Sequence, residues 1–524
     1  MEWLDIAVVA AYLLAMVLFG LWGKAKTSNT DDYLVAGRNL GFALYTGTIV
    51  TVVLGGASAV GGVGLGYKFG ISGLWLVAAI GLGVILLSAF FAPKLQRLKI
   101  YTVVEMMTLR YGTESTQVAS LVMLAYTLML TATSTGAYAS IFMVLFGWDR
   151  WVCILVGSAV VLIYAATGGM WSITLADMAQ FVIMTIGVFA LMLPFGLHHA
   201  GGWSAMQDRL DATFFDIGGM GLQSIITYFV IYTLGLLIGQ DIWQRVFTAK
   251  TDKVAQWGGV TGGIYCIVFG VAGAIIGMTA AVAMPGIENK DDVFARVAID
   301  FLPVGLGGLA LSAGVAAMMS TASGGLIAAA TVARTDVLPL LRNLKRGPRT
   351  LTAAEAQAMA QQNAQANQAA EDIAASRKWV IGLGLFVMFL AMAVPDVVAA
   401  LTIAYDILVG GLFVAILGGL VWKRGNGLGA ACSMGAGSLV TLGTMGYLEF
   451  TGDELMAGVY ANEPIYFGLA ASLLVYVVVS LLSKPTDPEV LAAWQYRTVH
   501  GAPEEGPTAF DAPAEHAEGT QDLQ

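Results

Sequence analysis

Thirteen apolar runs, most of them about as long as a bilayer crossing requires, dominate this 524-residue chain. They cover residues 3–22, 41–67, 74–91, 118–146, 152–166, 173–197, 222–238, 257–284, 302–333, 379–394, 398–422, 428–448 and 466–482. A soluble core cannot absorb that much apolar sequence: 57% of residues are hydrophobic, 12% are charged, and mean hydropathy is +0.76. In hydrocarbon every backbone N–H and C=O needs an internal partner, which leaves the helix as the natural spanning form for runs of this length. The expected class is an all-α integral membrane protein with 13 transmembrane helices.

The placement of Lys and Arg tests that count. With the N-terminus outside, 21 of the 26 basic residues fall in cytoplasmic segments, Arg245, Lys250 and Lys253 among them. Lys68, Arg150, Arg209, Lys290 and Arg296 fall outside. This asymmetry predicts a multi-pass protein of the cell membrane with its C-terminus in the cytoplasm. The first run carries an acidic flank and no basic leader, so it reads as a retained span rather than a signal peptide.

Two polar stretches interrupt the pattern. Residues 342–378 form a cytoplasmic connector rich in Ala and Gln, with a capping-box pattern from Thr352 to Glu355. Residues 484–524 are acidic and Pro-containing, and read as a disordered tail. Glu105 and Arg110 sit on an expected amphipathic cytoplasmic helix, in structural roles. Cys153, Cys266 and Cys432 have no paired spacing, and the four His form no cluster. No nucleophile–base or metal constellation of an enzyme is visible. The expected partners are a small-molecule solute, a coupling ion and the lipid bilayer, with neither nucleic acid nor an obligate protein partner implied.

Two spans carry unusual chemistry. Residues 51–66 hold six glycines, which weaken a helix and permit an unwound middle. Backbone unwound in a membrane must be satisfied by neighbours, water or a ligand, and such a break points to a transporter site. Close packing through small residues is the alternative. Residues 233–241 repeat the interruption more weakly five spans later, which suggests an inverted repeat. In the ninth span Ser320, Thr321 and Ser323 place three hydroxyls within about one turn. These could replace the water shell of a small hard cation, or bond back to their own helix.

In these residues the chain resembles the sodium–solute symporter family, which includes sodium/glucose, sodium/proline and sodium/sialic acid cotransporters. The resemblance rests on Gly61-Gly-Val-Gly-Leu-Gly-Tyr-Lys-Phe-Gly70 with Leu74-Trp75, and on Ile100-Tyr-Thr-Val-Val-Glu105. It rests also on Gly168-Gly169 with Ala176-Asp177, and on Ala316-Ala-Met-Met-Ser-Thr321 with Thr335-Asp336. It implies a five-plus-five inverted repeat of the LeuT type with one extra N-terminal and two extra C-terminal helices. The segments would be 1–40, 41–200, 221–422, 427–483 and the tail 484–524.

The resemblance also implies a sodium site. Carbonyls of Thr51, Leu54 and Ala317 and hydroxyls of Ser320 and Thr321 would hold the ion. Asp177 and Ser323 would serve a second sodium or a coupling role, although Gly324 stands where the other hydroxyl of that second site would be. The solute would lie near Gly55, Ser58, Val77, Tyr232, Gly235 and Thr402. Ser58 and Val77 replace the Gln and Glu that bind hydroxyls in sugar-transporting members, so a sugar is not expected. Asp406, one turn from Thr402, adds a carboxylate inside a span and marks a counter-charge for an amine or guanidinium, or else a packing or gating bond. The expected function is sodium-coupled uptake of a small nitrogen-bearing solute. A monocarboxylate symporter is the alternative within the class, and a transporter-like sensor acting through a separate partner the alternative outside it.

Overall fold

The structure, a computed structural model, describes residues 3–112, 116–341, 370–393, 397–452 and 457–501. The protein is all-helical; the β-type pairing among the described residues is an isolated bridge between Leu40 and Ala249. Ten helices among them are long and apolar enough to cross a membrane, or eleven when the bent pair Leu222–Leu236 and Gln240–Val246 is taken as one span.

The helix Leu306–Val332 is the axis of the bundle, with the whole of its most apolar stretch buried. Its Ala, Gly, Ser and Thr residues let neighbouring backbones approach closely. It packs against Trp3–Lys24, Thr116–Phe146 and Arg150–Thr185. A Cβ on Gly325 would lie 2.5 Å from Thr131 Oγ1, so close approach there depends on its absence. The first helix also caps the axis. Asp5 Oδ1 accepts from Gly305 N at 2.8 Å and Gly308 N at 2.7 Å, satisfying donors that a helix start leaves open. On the periphery, Leu439, Phe450 and Leu482 point outward and are exposed, as side chains that face lipid would be.

Glycine breaks shape the bundle. Phe42–Val53 ends at Leu54 (φ −84°, ψ 52°), and the helix resumes from Ala57 through Gly62–Phe69. Three of the six glycines of this stretch show two roles. Gly64 and Gly66 allow close packing: a Cβ on either would come within 2.5 Å of a carbonyl, of Lys290 and Ala274 respectively. Gly55 instead abuts Thr321. A second break falls at Gly169 (φ 56°, ψ −136°), where a Cβ would sit 2.3 Å from Tyr33 O. A third bends Leu222–Leu236 against Gln240–Val246 by 49°.

Three expectations change. The chain after Lys484 does not run disordered throughout: Pro488–His500 is a helix, capped by Asp487, with Val490 and Trp494 buried. These two, four residues apart, lie on one face of a helix that packs on Ala92–Leu98 and Val103–Tyr111. Arg497 donates from Nε and Nη2 to Leu98 O at 3.2 and 2.8 Å, and Arg97 Nη1 donates to Val499 O at 2.9 Å. Overall composition of the tail concealed this short amphipathic stretch. The helix expected from 379 starts earlier, as Ala370–Ala393, so part of the 342–378 connector is helical. Arg245, expected in a cytoplasmic segment, is fully buried, because the bent span continues through Gln240–Val246 inside the bundle. The capping-box pattern at 352–355 lies outside the described residues.

Val103–Tyr111 forms the expected helix, with Thr102 Oγ1 accepting from Glu105 N at 3.0 Å. Arg110 is buried and caps the end of Val397–Val421. It donates to the carbonyls of Gly419, Trp422, Lys423 and Gly425 at 3.0–3.3 Å. A planar guanidinium with five donors suits this task. Arg110→Met should leave those carbonyls unpartnered, lose roughly 3 kcal/mol and lower the midpoint of thermal unfolding in detergent. Arg110→Lys should recover a minor part of the loss, since a point charge cannot span the four carbonyls.

Candidate functional site

At the break in the second span the carbonyls of residues 51–54 leave the helical pattern. Thr321 Oγ1, from the axial helix, donates to Val52 O at 2.7 Å and lies 3.3 Å from Ala317 O. Ser58 Oγ takes Val53 O at 3.0 Å. Among the described residues no hydrogen bond reaches the carbonyls of Thr51 and Leu54 at this break. The Thr51 hydroxyl is spent within its own helix, donating to Gly47 O at 2.9 Å. Thr51, Leu54, Ala317, Ser320 and Thr321 are all buried.

Asp177 ties three elements together. Ser320 Oγ donates to its Oδ1 at 2.6 Å, and Thr48 Oγ1 makes a short hydrogen bond to Oδ2. Arg245 Nη2 lies 3.4 Å from Oδ2, with both side chains fully buried. The proton of Ser320 is therefore committed to a carboxylate and that of Thr321 to a carbonyl. Each oxygen keeps lone pairs that can face a cation. Ser323, the other candidate beside Asp177, donates to Ser320 O at 3.0 Å, within its own helix. Among the described residues no group of three or more His, Cys, Asp or Glu is placed to hold a metal ion.

Beside this junction lies a cavity of about 340 Å³, counting its open mouth. Counted as space open to water it is about 20 Å³, about one water, well below the roughly 300–1,000 Å³ of ligand clefts. Gly55, Ser58, Ser134, Asp241, Thr321 and Tyr405 are on its wall. Of the solute candidates, Gly55 and Ser58 line it directly. Gly235 sits behind Tyr405: a Cβ there would come within 2.1 Å of the ring, so this glycine gives the aromatic its place. Tyr232 OH and Thr402 Oγ1 are 3.2 Å apart and bond to each other. Val77 packs against Gly62 and Gly270 rather than on the wall. Asp406 is fully buried away from the lining, and neither of its oxygens has a hydrogen-bond partner among the described residues.

The residues that sequence reasoning passed over are Asp241, Arg245, Thr48, Tyr126 and Tyr405. Asp241 follows the bend between Leu222–Leu236 and Gln240–Val246, and Tyr126 OH donates to its Oδ1 at 2.8 Å. Tyr405 stands edge-on to Tyr126 and to Tyr232, with ring centroids 5.6 and 5.4 Å apart. A signal was present, because a carboxylate two residues after a glycine in an interrupted apolar run is a costly placement.

A break paired with a buried hydroxyl-bearing helix, inside an all-helical bundle, is the architecture of a LeuT-like secondary transporter rather than of an enzyme. The sequence pattern of the sodium:solute symporter family matches residues 33–437, and the chain belongs to that family. It is 25% identical over 505 residues to the osmoregulated proline transporter of Bacillus subtilis, covering 90% of this chain and 94% of that one. It is 22% identical over 360 residues to the human high affinity choline transporter 1, covering 64% of this chain and 62% of the transporter. Among solved structures, a Na+-coupled sialic acid symporter superposes with a TM-score of 0.73 at 17% identity, over 93% of this chain and 99% of that one. Mhp1, a nucleobase-cation-symport-1 family transporter, superposes at 0.54 and 14% identity, over 88% and 97%.

Gly55→Ala should force the junction apart, because its methyl would lie 2.5 Å from Thr321 Oγ1. The expected outcome is loss of any sodium-dependent rise in the unfolding midpoint. Gly443→Ala, with nothing within 4 Å, should leave that rise unchanged.

Proposed function

We propose that this chain is a sodium-coupled symporter that takes up a small nitrogen-bearing solute by alternating access. The observation that carries the reading is the junction of the second and ninth spans. There Thr321 pins Val52 O, while the Thr51 and Leu54 carbonyls keep free valence at the same break. Together with Ala317 O, Ser320 Oγ and Thr321 Oγ1 they make five neutral oxygens. That set suits a hard monovalent cation and offers a proton no base.

Sodium from outside would bind first and hold the broken span against the axial helix. The solute would then settle in the adjoining cavity, with Thr321 common to both sites and Gly55 against it. Closure on the outer side and opening on the inner side would release both where sodium is scarce. Each net charge carried inward gains about 2.3 kcal/mol per 100 mV, which supports roughly fortyfold accumulation before the sodium gradient is counted.

The cavity wall supports this solute class. The buried carboxylate of Asp241 stands among Tyr126 and Tyr405, and an ammonium-type group is the natural partner of a carboxylate beside aromatic faces. The same carboxylate opposes a simple monocarboxylate, which would bring like charge to it. Relatives named for proline and choline transport are in keeping with a nitrogen-bearing solute. Asp406, off the cavity wall and without a hydrogen-bond partner among the described residues, is the alternative counter-charge.

Thirteen spans in a five-plus-five repeat, with the N-terminus outside, complete the proposal. The apolar helical stretches Ala57–Leu98 and Arg150–Ala200 are 42 and 51 residues long. At about 1.5 Å per residue each far exceeds a hydrocarbon core of about 30 Å, and each contains a positive-φ glycine, Gly70 or Gly169. Each therefore makes two passes. The two broken spans are then the second and the seventh, five apart.

In proteoliposomes an inward sodium gradient should drive accumulation of a labelled amine, amino acid or guanidino compound, chosen by a thermal-shift screen with and without sodium. Accumulation that potassium or choline ions sustain equally well would sink the reading. Asp241→Asn should reduce uptake of a cationic solute tenfold or more while sodium-induced thermal stabilisation persists. Asp406→Asn, measured in parallel, separates the two carboxylates. Ser320→Ala should abolish the sodium effect itself.

A further inference from the structure

We propose that the helix Pro488–His500 is a strap across a joint at Lys99, and that it holds shut the face of the bundle on which it docks. The proposal rests on the alternating-access reading above, in which that face is the cytoplasmic one, and concerns what restrains its opening.

Lys99 separates two groups of helices. Before it, Ala92–Leu98 touches Gln240–Val246 and Val254–Gly258. The latter runs on into Gly259–Ala283, which packs along Gly62–Phe69 and Trp75–Leu86. After it, Val103–Tyr111 touches Thr116–Phe146 and Val397–Val421, and Thr116–Phe146 in turn packs on the axial helix. At the joint itself Lys99 takes a left-handed conformation (φ 53°, ψ 40°), which a residue with a side chain rarely adopts. Such a position persists where surrounding contacts impose it, and a short element-terminal segment of this kind can absorb the turning of one group against another.

The strap is fastened on both sides of that joint. Its leading end is held by the second group: Arg110 Nη1 donates to Thr486 Oγ1 at 3.2 Å, and Thr486 Oγ1 donates to Gly425 O at 3.2 Å. Its trailing end is held by the first. Arg497 Nη2 donates to Leu98 O at 2.8 Å, and Arg97 Nη1 donates to Val499 O at 2.9 Å. Each helix thus supplies the arginine that meets an open carbonyl in the last turn of the other. Arg97 Nε also donates to Asp252 Oδ2 at 2.6 Å, so one guanidinium serves both the strap and the loop after Gln240–Val246. Beside the joint the two groups are tied by Gln240, whose side chain accepts from Val103 N at 2.8 Å and donates to Tyr101 O at 2.9 Å. Opening this face parts those bonds, and a strap anchored on both groups opposes the parting.

The test compares the full-length wild type with Trp494→Asp, which puts a charge into the docked face of the strap, and with Arg497→Gln, which removes its terminal bonds. Amide exchange at residues 101–103 should quicken about tenfold in both variants, because the bonds of Gln240 open more often. Sodium titrated against thermal unfolding should need about threefold more salt for half its effect, since fewer molecules occupy the arrangement that binds it. Arg497→Lys, which keeps a donor for Leu98 O, should recover part of both effects. Gln495→Ala, on the exposed face, should change neither. A helix that merely adds stability would, when undocked, lower the unfolding midpoint and leave exchange at 101–103 and the sodium requirement unmoved; that result would overturn the proposal. If Trp494→Asp does not fold, Arg497→Gln decides. Should the wild type show no sodium effect, the symport reading fails, and the exchange comparison alone upholds or overturns the strap.

Discussion

The structure turns on a hydrogen bond between two spans far apart in sequence. A threonine hydroxyl on a fully buried helix takes up one carbonyl that a broken helix has released. In hydrocarbon a released carbonyl is costly unless something meets it. The axial helix can meet it because its residues are small: Gly324 and Gly325 bring neighbouring groups to its surface, and Gly55 lets the break close onto Thr321. The carbonyls at the break that receive no such partner are the groups left with chemistry to offer. A binding site here would be what remains when the chain satisfies most of a break and leaves part of it open.

Around that junction the buried charges form a connected set. Asp177 joins the helix Phe42–Val53 through Thr48, the axial helix through Ser320 and the segment Gln240–Val246 through Arg245. One turn before Arg245, Asp241 faces the adjoining cavity. The same bent span thus carries Asp241 to the cavity wall and Arg245 to the carboxylate of Asp177. Breaking either would leave a charge inside the bundle with less to balance it, which is the usual reason such groups persist in a membrane. The bend therefore contributes both the wall of the cavity and the counter-ion of the junction.

Much of this is legible in the sequence. Apolar run length and the asymmetry of Lys and Arg implied a multi-pass helical bundle. Six glycines in one span and three hydroxyls in another singled out the two elements that meet. Asp177 stood out as a carboxylate inside a span. Other features were hidden for identifiable reasons. Arg245 looked like a cytoplasmic charge because the apolar run ends near Ile238, while the helix bends and continues. Asp406 looked like the solute's counter-charge because it is the isolated acid on its span, whereas the cavity is lined by Asp241. The helix Pro488–His500 vanished into the average composition of an acidic tail.

The division follows from the range of the forces involved. Burial in lipid, backbone satisfaction and the cost of an intramembrane charge act on a segment wherever it sits, so the sequence by itself determined the class, the broken spans and the hydroxyl-bearing helix. Which side chain fills the space opposite a glycine depends on how two helices cross. Tertiary structure alone decided that Arg245 lies against Gly324 and Asp177, that Thr321 reaches Val52, and that Asp241 rather than Asp406 lines the cavity. Each of those contacts spans dozens to hundreds of residues and is set by packing distances of a few ångströms, which no local pattern records.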